Sequence, residues 1–340
     1  LVRDDILTLF DQIGDFGAGD LPPGETPVRP TTSSTPADIE ANKANKLRLL
    51  HRLLRPHTIN EAMTNFCSHK DSVVTLTVAP ENEKYLFRAQ YKIEDAMMGA
   101  VREIIKRWLA TGKIKRAPRT GFNSPLLAVP KKDDSGRMTG VRLCLDIRML
   151  NKYLIEKDQY QLPRINEMLA SLAGNQLFGE YDLSEAYFQF RLSEESQKYT
   201  AFTWESQQYV FVGCPFGIKH IPSLFQRFIT NLFVDMPFVF PYIDNIAFAS
   251  KTWEEHYEHA KAIVERLNSV NLRIKPSSYN LGNTQLNLLG HQISEKGIAL
   301  DPEKKLMIRS WERPVTGERL QSALGLGAYL RDNIRHYADL

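Results

Sequence analysis

The sequence predicts an α+β fold organised around an antiparallel sheet, and three observations carry that reading. Short apolar runs such as PLLAV and VRLCLDI are joined by charged or Gly-containing turns, as in hairpins. Longer stretches repeat apolar residues at helical spacing. The two kinds of element mix without the strand–helix–strand rhythm of a parallel sheet. At 340 residues, 43% hydrophobic and 24% charged, the chain is globular and long enough for two domains, or for one domain with several lobes. No run of about eighteen apolar residues is present, which excludes a helical membrane span. Cys67, Cys144 and Cys214 are scattered without Cys/His spacing, so neither a zinc site nor a disulfide framework is expected. A reducing, intracellular setting follows, cytoplasmic (a virus-like particle) or nuclear. LVRDDILTLF opens with acids where a signal peptide has a basic flank, and it lacks a starting Met. A fragment or a processed product is therefore expected.

Taken in order, LPPGETPVRPTTSSTPADIE (21–40) reads as a linker or extended arm, and ANKANKLRLLHRLL as a basic amphipathic helix. Residues 1–85 carry no catalytic pattern. Met97, Val101, Ile104, Ile105 and Trp108 share one helical face, with Asp95 near its start and Gly112 as its stop. NSPLLAVPKKDDSGRMTGVRLCLDIRMLNKY gives two strands joined by a charged loop, and QLFGEYDLSEAYFQFRL a strand running into a turn. Pro222 opens a helix striped by Phe225, Phe228, Ile229 and Leu232. Thr252 and Glu255 form a capping box for WEEHYEHAKAIVERLNSV, whose His256 and His259 are expected on a solvated face. Cys144 and Cys214 sit in apolar strand context and are expected in the core. LNLLGHQIS is a short strand, and helices are expected over 302–311 and 317–334.

Net charge is only +3, yet Arg102 to Arg148 holds twelve Lys or Arg against four acids, so the rest of the chain is net acidic. The block crosses a helix, a loop and a strand, which favours a surface facing a polyanion over one solvated helix face.

PYIDNIAFAS (241–250) reads as two apolar runs broken by Asp244-Asn245, an ordinary hairpin turn by composition. Asp182, at the end of LFGEYDL, changes that reading. If the two strands are sheet neighbours, Asp182 and Asp244 converge and could bridge two hard cations, the arrangement that phosphoryl and nucleotidyl transfer need.

From about Phe87 onward, roughly three quarters of the chain, the sequence resembles the reverse transcriptase domain of Ty3/gypsy LTR retrotransposons. The stretches that carry the resemblance, in order, include the fingers stretch quoted above, QLPRINEML, LFGEYDLSEAYFQFRL, KYTAF, FVGCPFGIKHIPSLFQRFI, PYIDNI, SKTWEEHYEHA, LLGHQISEKGIALDPEK and LQSALGLGAYLR. The resemblance implies a right-hand polymerase fold of fingers, palm with an antiparallel sheet, and thumb. Its expected boundaries are 1–85 (N-terminal extension with the Pro/Thr/Ser-rich linker), 86–295 (fingers and palm) and 296–340 (thumb).

Carried over position by position, the resemblance makes Asp182 the first palm aspartate and Leu183 a backbone carbonyl ligand. Tyr242, Asp244 and Asn245 fall on the family's Tyr-x-Asp-Asp element. Tyr187 matches the aromatic gate beneath the incoming sugar, which implies deoxynucleotides. Lys131 or Lys132, with Arg142, matches the cations on the nucleotide's phosphates. Pro215, Phe216 and Gly217 match the loop below the nascent base pair, and Gln226 a position near the template. Leu289, Gly290 and His291 lie in the hairpin that grips the primer. Gln321, Gly325 and Tyr329 match thumb residues along the minor groove. Two Mg²⁺ ions, replaceable by Mn²⁺, are implied as cofactors. The implied partners are dNTPs and an RNA or DNA template annealed to a primer, with no membrane, and with an oligomer or further polyprotein domains as additional partners.

The sequence departs from the pattern in three places. Asn245 stands where the family has aspartate. RIKPSSYNL replaces a stretch that usually carries a Lys pair, leaving Lys275 nearby in a different register. Ile221 and Ser223 flank Pro222 in place of small residues. The implied activity is RNA-directed DNA polymerisation. The alternative is a catalytically inactive protein of the same fold that binds nucleic acid or acts as a scaffold. Asn245 is compatible with a slow polymerase, with a copy that has lost its chemistry, and with a substitution made to silence the site.

Overall fold

The computed structural model describes residues 44–45, 47–49, 52, 66–133, 135–155, 160, 162–310 and 314–331, with backbone alone at 276–279. Of the basic helix expected at 41–54, residues 44, 45, 47–49 and 52 are described, and all are helical. The linker at 21–40 lies outside the described residues.

In chain order, β1 (Val73–Val74) precedes helix α1 (Asp95–Ala110) and strands β2 (Ile114–Arg116), β3 (Leu126–Lys132) and β4 (Met138–Leu145). Helices α2 (Arg148–Tyr153) and α3 (Ile165–Leu172) lead to β5 (Leu177–Leu183), β6 (Arg191–Leu192) and a single turn, α4 (Glu194–Gln197). Strands β7 (Phe202–Trp204) and β8 (Gln207–Phe211) follow, then α5 (Ile221–Leu232), β9 (Val239–Tyr242), β10 (Asn245–Ser250) and α6 (Trp253–Ser269). The chain continues through β11 (Ile274–Asn283), β12 (Gln285–Leu288), β13 (His291–Ser294), β14 (Gly297–Leu300), α7 (Pro302–Arg309) and α8 (Gly317–Tyr329). The expected stripe on α1 is buried at Met97, Val101, Ile105 and Trp108, and Gly112 takes the left-handed conformation (φ 65°) just past its end.

The central sheet has the order β11-β5-β10-β9, and all its pairings are antiparallel. Alternation along β5 and β10 sorts its side chains onto two faces. Tyr181, Ile246 and Phe248 enter the main core beneath α6, where Tyr181 stacks on Phe248 at 5.5 Å. Phe178, Ala247 and Ala249 face a second core made with α3 and the β12–β13 hairpin. Gly179 lets this sheet close: a Cβ there would fall 2.1 Å from Cζ of Phe248. The main core also takes in Cys67, Val74, Leu76 and Val78, so packing runs through residue 85 without a break at the expected boundary.

LNLLGHQIS is two strands of a three-stranded sheet rather than one, joined by Leu289-Gly290 with φ of 51° and 77°. Two consecutive positive φ values define the tight turn suited to a twisted hairpin, and glycine supplies the second without strain. The histidines of α6 depart furthest from expectation. His256 is fully buried, stacked on Phe248, and accepts from Gly282 N–H at 2.9 Å. His259 stacks on Phe238 at 3.6 Å and meets Ser250 Oγ at 2.9 Å. The polar residues around them suggested an exposed face. In the fold, α6 lies across the sheet, and an imidazole is flat enough to pack on the aromatic rings there.

Candidate active site

The β9–β10 hairpin turns at Ile243-Asp244, not at Asp244-Asn245, because Asn245 already pairs across β9 and β5 as the first residue of β10. Ile243 holds φ 54°, a conformation that costs a β-branched residue about 1–3 kcal/mol and must be enforced by its surroundings. Gln226 on α5 enforces it. The fully buried amide accepts from Ile243 N–H at 2.6 Å and donates to Pro241 C=O at 2.9 Å and to Thr230 Oγ1 at 3.1 Å. Gln226, which the resemblance put near the template strand, is thus a fully buried brace behind the hairpin.

In the palm sheet Asn245 stands opposite Asp182, Ala247 opposite Glu180 and Ala249 opposite Phe178. This face thus changes along the strands from apolar to acidic, with Asp182 at the hairpin end. Asp244 lies exposed at the tip, and its carbonyl accepts from Leu183 N–H at 2.7 Å, which ties the end of β5 to the turn. Leu183 itself is buried and pairs with Ile274 of β11. Asn245 donates through Nδ2 to Glu180 Oε1, while its Oδ1 is buried and has no hydrogen-bond partner. Burial raises the Glu180 carboxyl above its usual range; the two amides of Asn245 and Asn280 work against this, and Asp182 adds to it.

Among the described residues no three His, Cys, Asp or Glu side chains converge as a metal-holding group. Two carboxylates from adjoining strand ends, a backbone carbonyl and an orphaned amide oxygen nevertheless fit a hard cation, which takes oxygen ligands and tolerates neutral ones. Lys275, near the missing Lys pair, is exposed on β11.

Several of the other expected residues gather around this end of the sheet. The Tyr187 hydroxyl is pushed up to about 12, chiefly by burial and then by Asp244 and Tyr242, so the ring lies within electrostatic reach of the hairpin. Tyr187 packs on Phe216 at 5.3 Å and on Phe225 at 5.7 Å, and Phe216 is 51% exposed. Gly217 (φ 98°) follows Phe216, and Asn151 pins that loop, donating to Gly217 C=O at 2.7 Å and accepting from Lys219 N–H at 3.0 Å. Lys131, Lys132 and Arg142 project from the β3–β4 hairpin and are exposed, with Arg142 opposite Val129.

On the other flank, Tyr329 donates its hydroxyl to Leu289 C=O, lies 6.0 Å from His291 ring to ring, and bounds a cavity of about 320 Å³ with Gly290 and Lys304. Burial and then Tyr242 raise the Tyr329 hydroxyl, so the end of α8 and the β12–β13 turn lie within electrostatic reach of the β9–β10 hairpin. Gln321 and Gly325 are exposed on α8, one helical turn apart and in line with Tyr329. A larger cavity of about 870 Å³, lined by His69, Val74, Leu224 and Arg227 among others, includes none of the expected site residues. The sequence reading missed Glu180, Asn280 and Asn151. Only Glu180 had a visible signal: two residues before Asp182 in a strand, it must share that residue's face.

Comparison with known proteins assigns the class. Residues 129–293 match the family model described as reverse transcriptase (RNA-dependent DNA polymerase). The retrovirus-related Pol polyprotein from transposon 297 of Drosophila melanogaster is 30% identical over 257 residues, 75% of this chain and 24% of that protein. The corresponding polyprotein from transposon gypsy is 28% identical over 284 residues, 83% of this chain and 27% of that one. A foamy viral protease-reverse transcriptase solved in complex with dsDNA superposes with a TM-score of 0.72 at 26% identity, covering 90% of this chain and 64% of that one. The fold is that of a reverse transcriptase. The chain belongs to the Ty3/gypsy type of retrotransposon reverse transcriptase domain, and it spans about a quarter of the length of these curated relatives.

Proposed function

We propose that this chain extends a primer along an RNA or DNA template by adding deoxynucleotides, as the polymerase part of a retrotransposon Pol protein. The observation that carries the reading is the register of β5 against β10, which sets Asp182 beside the hairpin presenting Asp244. The foamy viral enzyme seen with duplex DNA and with RNA/DNA hybrid supports the choice of nucleic-acid partner.

Reverse transcriptases work with divalent metal ions, and Asp182, Asp244 and the Leu183 carbonyl are the groups that would hold them here. Two Mg²⁺ ions, with Mn²⁺ as substitute, would supply the positive charge that offsets charge developing on the transferring phosphate. The protein's own contribution is positioning. Lys131, Lys132 and Arg142 neutralise the triphosphate from the fingers, with Arg142 able to make paired contacts. Tyr187 closes the floor of the nucleotide site, where a ribose 2′-hydroxyl would meet its ring. Phe216 and Gly217 pack below the new base pair. Tyr242, the Leu289–His291 turn and the Gln321–Gly325–Tyr329 face hold the duplex and set the primer terminus against Asp182.

Primer extension on an RNA template with Mg²⁺ or Mn²⁺ tests the proposal. The chain should extend, and Asp182→Asn should reduce extension by at least about a hundredfold while leaving hybrid binding intact. A second reading rests on one observation, the uncharged Asn245: the fold binds hybrid and does no chemistry. Hybrid binding without extension in either metal would establish that reading.

A further inference from the structure

Position 245 lacks the charge its place in the hairpin calls for, and the face of the sheet shows where a charge lies instead. Glu180 sits one pleat along β5 from Asp182, on the same face, between Asp182 and the buried Phe178. Its direct partner across the ladder is Ala247, whose small side chain leaves the glutamate free to reach diagonally. There it takes the Asn245 Nδ2–H on one oxygen and faces Asn280 Nδ2 at 3.5 Å on the other. That bond fixes the amide with nitrogen toward Glu180 and turns Oδ1 the other way, buried and unpaired. An aspartate at 245 could donate no such bond, and it would set two carboxylates in contact on a partly buried face.

We propose that Glu180 and Asn245 are a matched pair. In this pair Glu180 is a positioning residue that orients the Asn245 oxygen and supplies, one pleat from Asp182, the negative charge that position 245 does not carry. Asn245 is then an adapted residue of this palm rather than the scar of a lost ligand, and returning an aspartate to 245 alone works against Glu180. The inference rests on the palm reading given above in its metal-binding aspect; the pairing itself stands on the hydrogen bond.

The test is a double-mutant cycle of Glu180→Gln, Asn245→Asp and the two together, read by thermal unfolding in metal-free buffer and by Mn²⁺ titration calorimetry. Glutamine at 180 keeps an acceptor for Asn245 and removes only the charge. In metal-free buffer Asn245→Asp should lower Tm when Glu180 is present and should cost little beside Glu180→Gln, where the amide can donate to the new carboxylate. Glu180→Gln alone should weaken Mn²⁺ binding by about tenfold, the scale for one charge lost near a divalent ion at an effective dielectric between protein and water. The double variant, with charge and amide exchanged, should recover it. If the two substitutions act additively on Tm, the pairing is wrong; if Glu180→Gln leaves Mn²⁺ affinity unchanged where Asp182→Asn lowers it, Glu180 does not supply the charge. Asp182→Asn serves as the separate control. If it too leaves Mn²⁺ binding unchanged, the palm reading fails, whereas the unfolding cycle still decides the pair.

Discussion

At the scale of single residues, the shape of the candidate site depends on a side chain buried behind it, Gln226. Its amide satisfies Ile243 N–H and Pro241 C=O and thereby holds a β-branched residue at positive φ next to Asp244. Gln226→Leu keeps the volume but strands two partly buried backbone groups, each worth about 1–3 kcal/mol. Denaturant unfolding should show a loss on the order of 2–4 kcal/mol. Primer extension should fall further than stability explains, because the hairpin is no longer fixed. Gln226→Glu, which retains the acceptor for Ile243, should fall between the two. A Gln226→Leu protein of unchanged stability would remove the clamp from this account.

At the scale of elements, α6 and the palm sheet are joined by a polar seam inside an aromatic one. Thr252 caps the helix as its sequence predicts, accepting from Glu255 N–H at 3.2 Å, and Glu255 in turn accepts from Lys251 N–H at 3.0 Å. Farther in, Gly282 N–H donates to His256 Nε2, so His256 is neutral with its proton on Nδ1, facing Ser250 Oγ at 3.2 Å. Burial, and then the neighbouring His259, lowers the His256 imidazole from 6.5 to about 4. Below about pH 6.5 the unfolded chain takes up a proton that the folded one refuses. Stability is therefore complete above that pH and declines as pH falls toward about 4, by roughly 3 kcal/mol in all. Urea midpoints at pH 7.5 and pH 5 should show the drop, and His256→Gln should flatten it.

At the scale of the whole molecule, the basic excess between Arg102 and Arg148 is spread over α1, β2 and the β3–β4 hairpin. Lys115 and Arg116 on β2 are exposed, as are Lys131, Lys132 and Arg142. Hybrid affinity should fall steeply with salt, with a log–log slope near −0.9 for each duplex phosphate neutralised. Lys131→Ala should raise the KM for the incoming nucleotide and leave that slope unchanged, on the proposed role of the β3–β4 hairpin in meeting the nucleotide rather than the duplex. A change in slope would instead place Lys131 on the template-primer.

Much of this protein was legible in the sequence. The α1 and α5 stripes, the capping box and the β3–β4 pair depend on spacing alone, since helix and strand periods fix which residues share a face. Asp182 and Asp244 could be singled out as carboxylates at strand ends, whereas Tyr187 and Tyr242 were named only through the resemblance to reverse transcriptases. What only the tertiary structure decided are the relations across elements. Gln226 and Gly282 are 17 and 26 residues from their partners Ile243 and His256, and Glu180 is 65 residues from Asn245. No local period links such pairs. The register of β5 on β10 and the seat of α6 on the sheet bring them together, and only then does a polar helix face become buried, or an amide find the carboxylate that gives its position meaning.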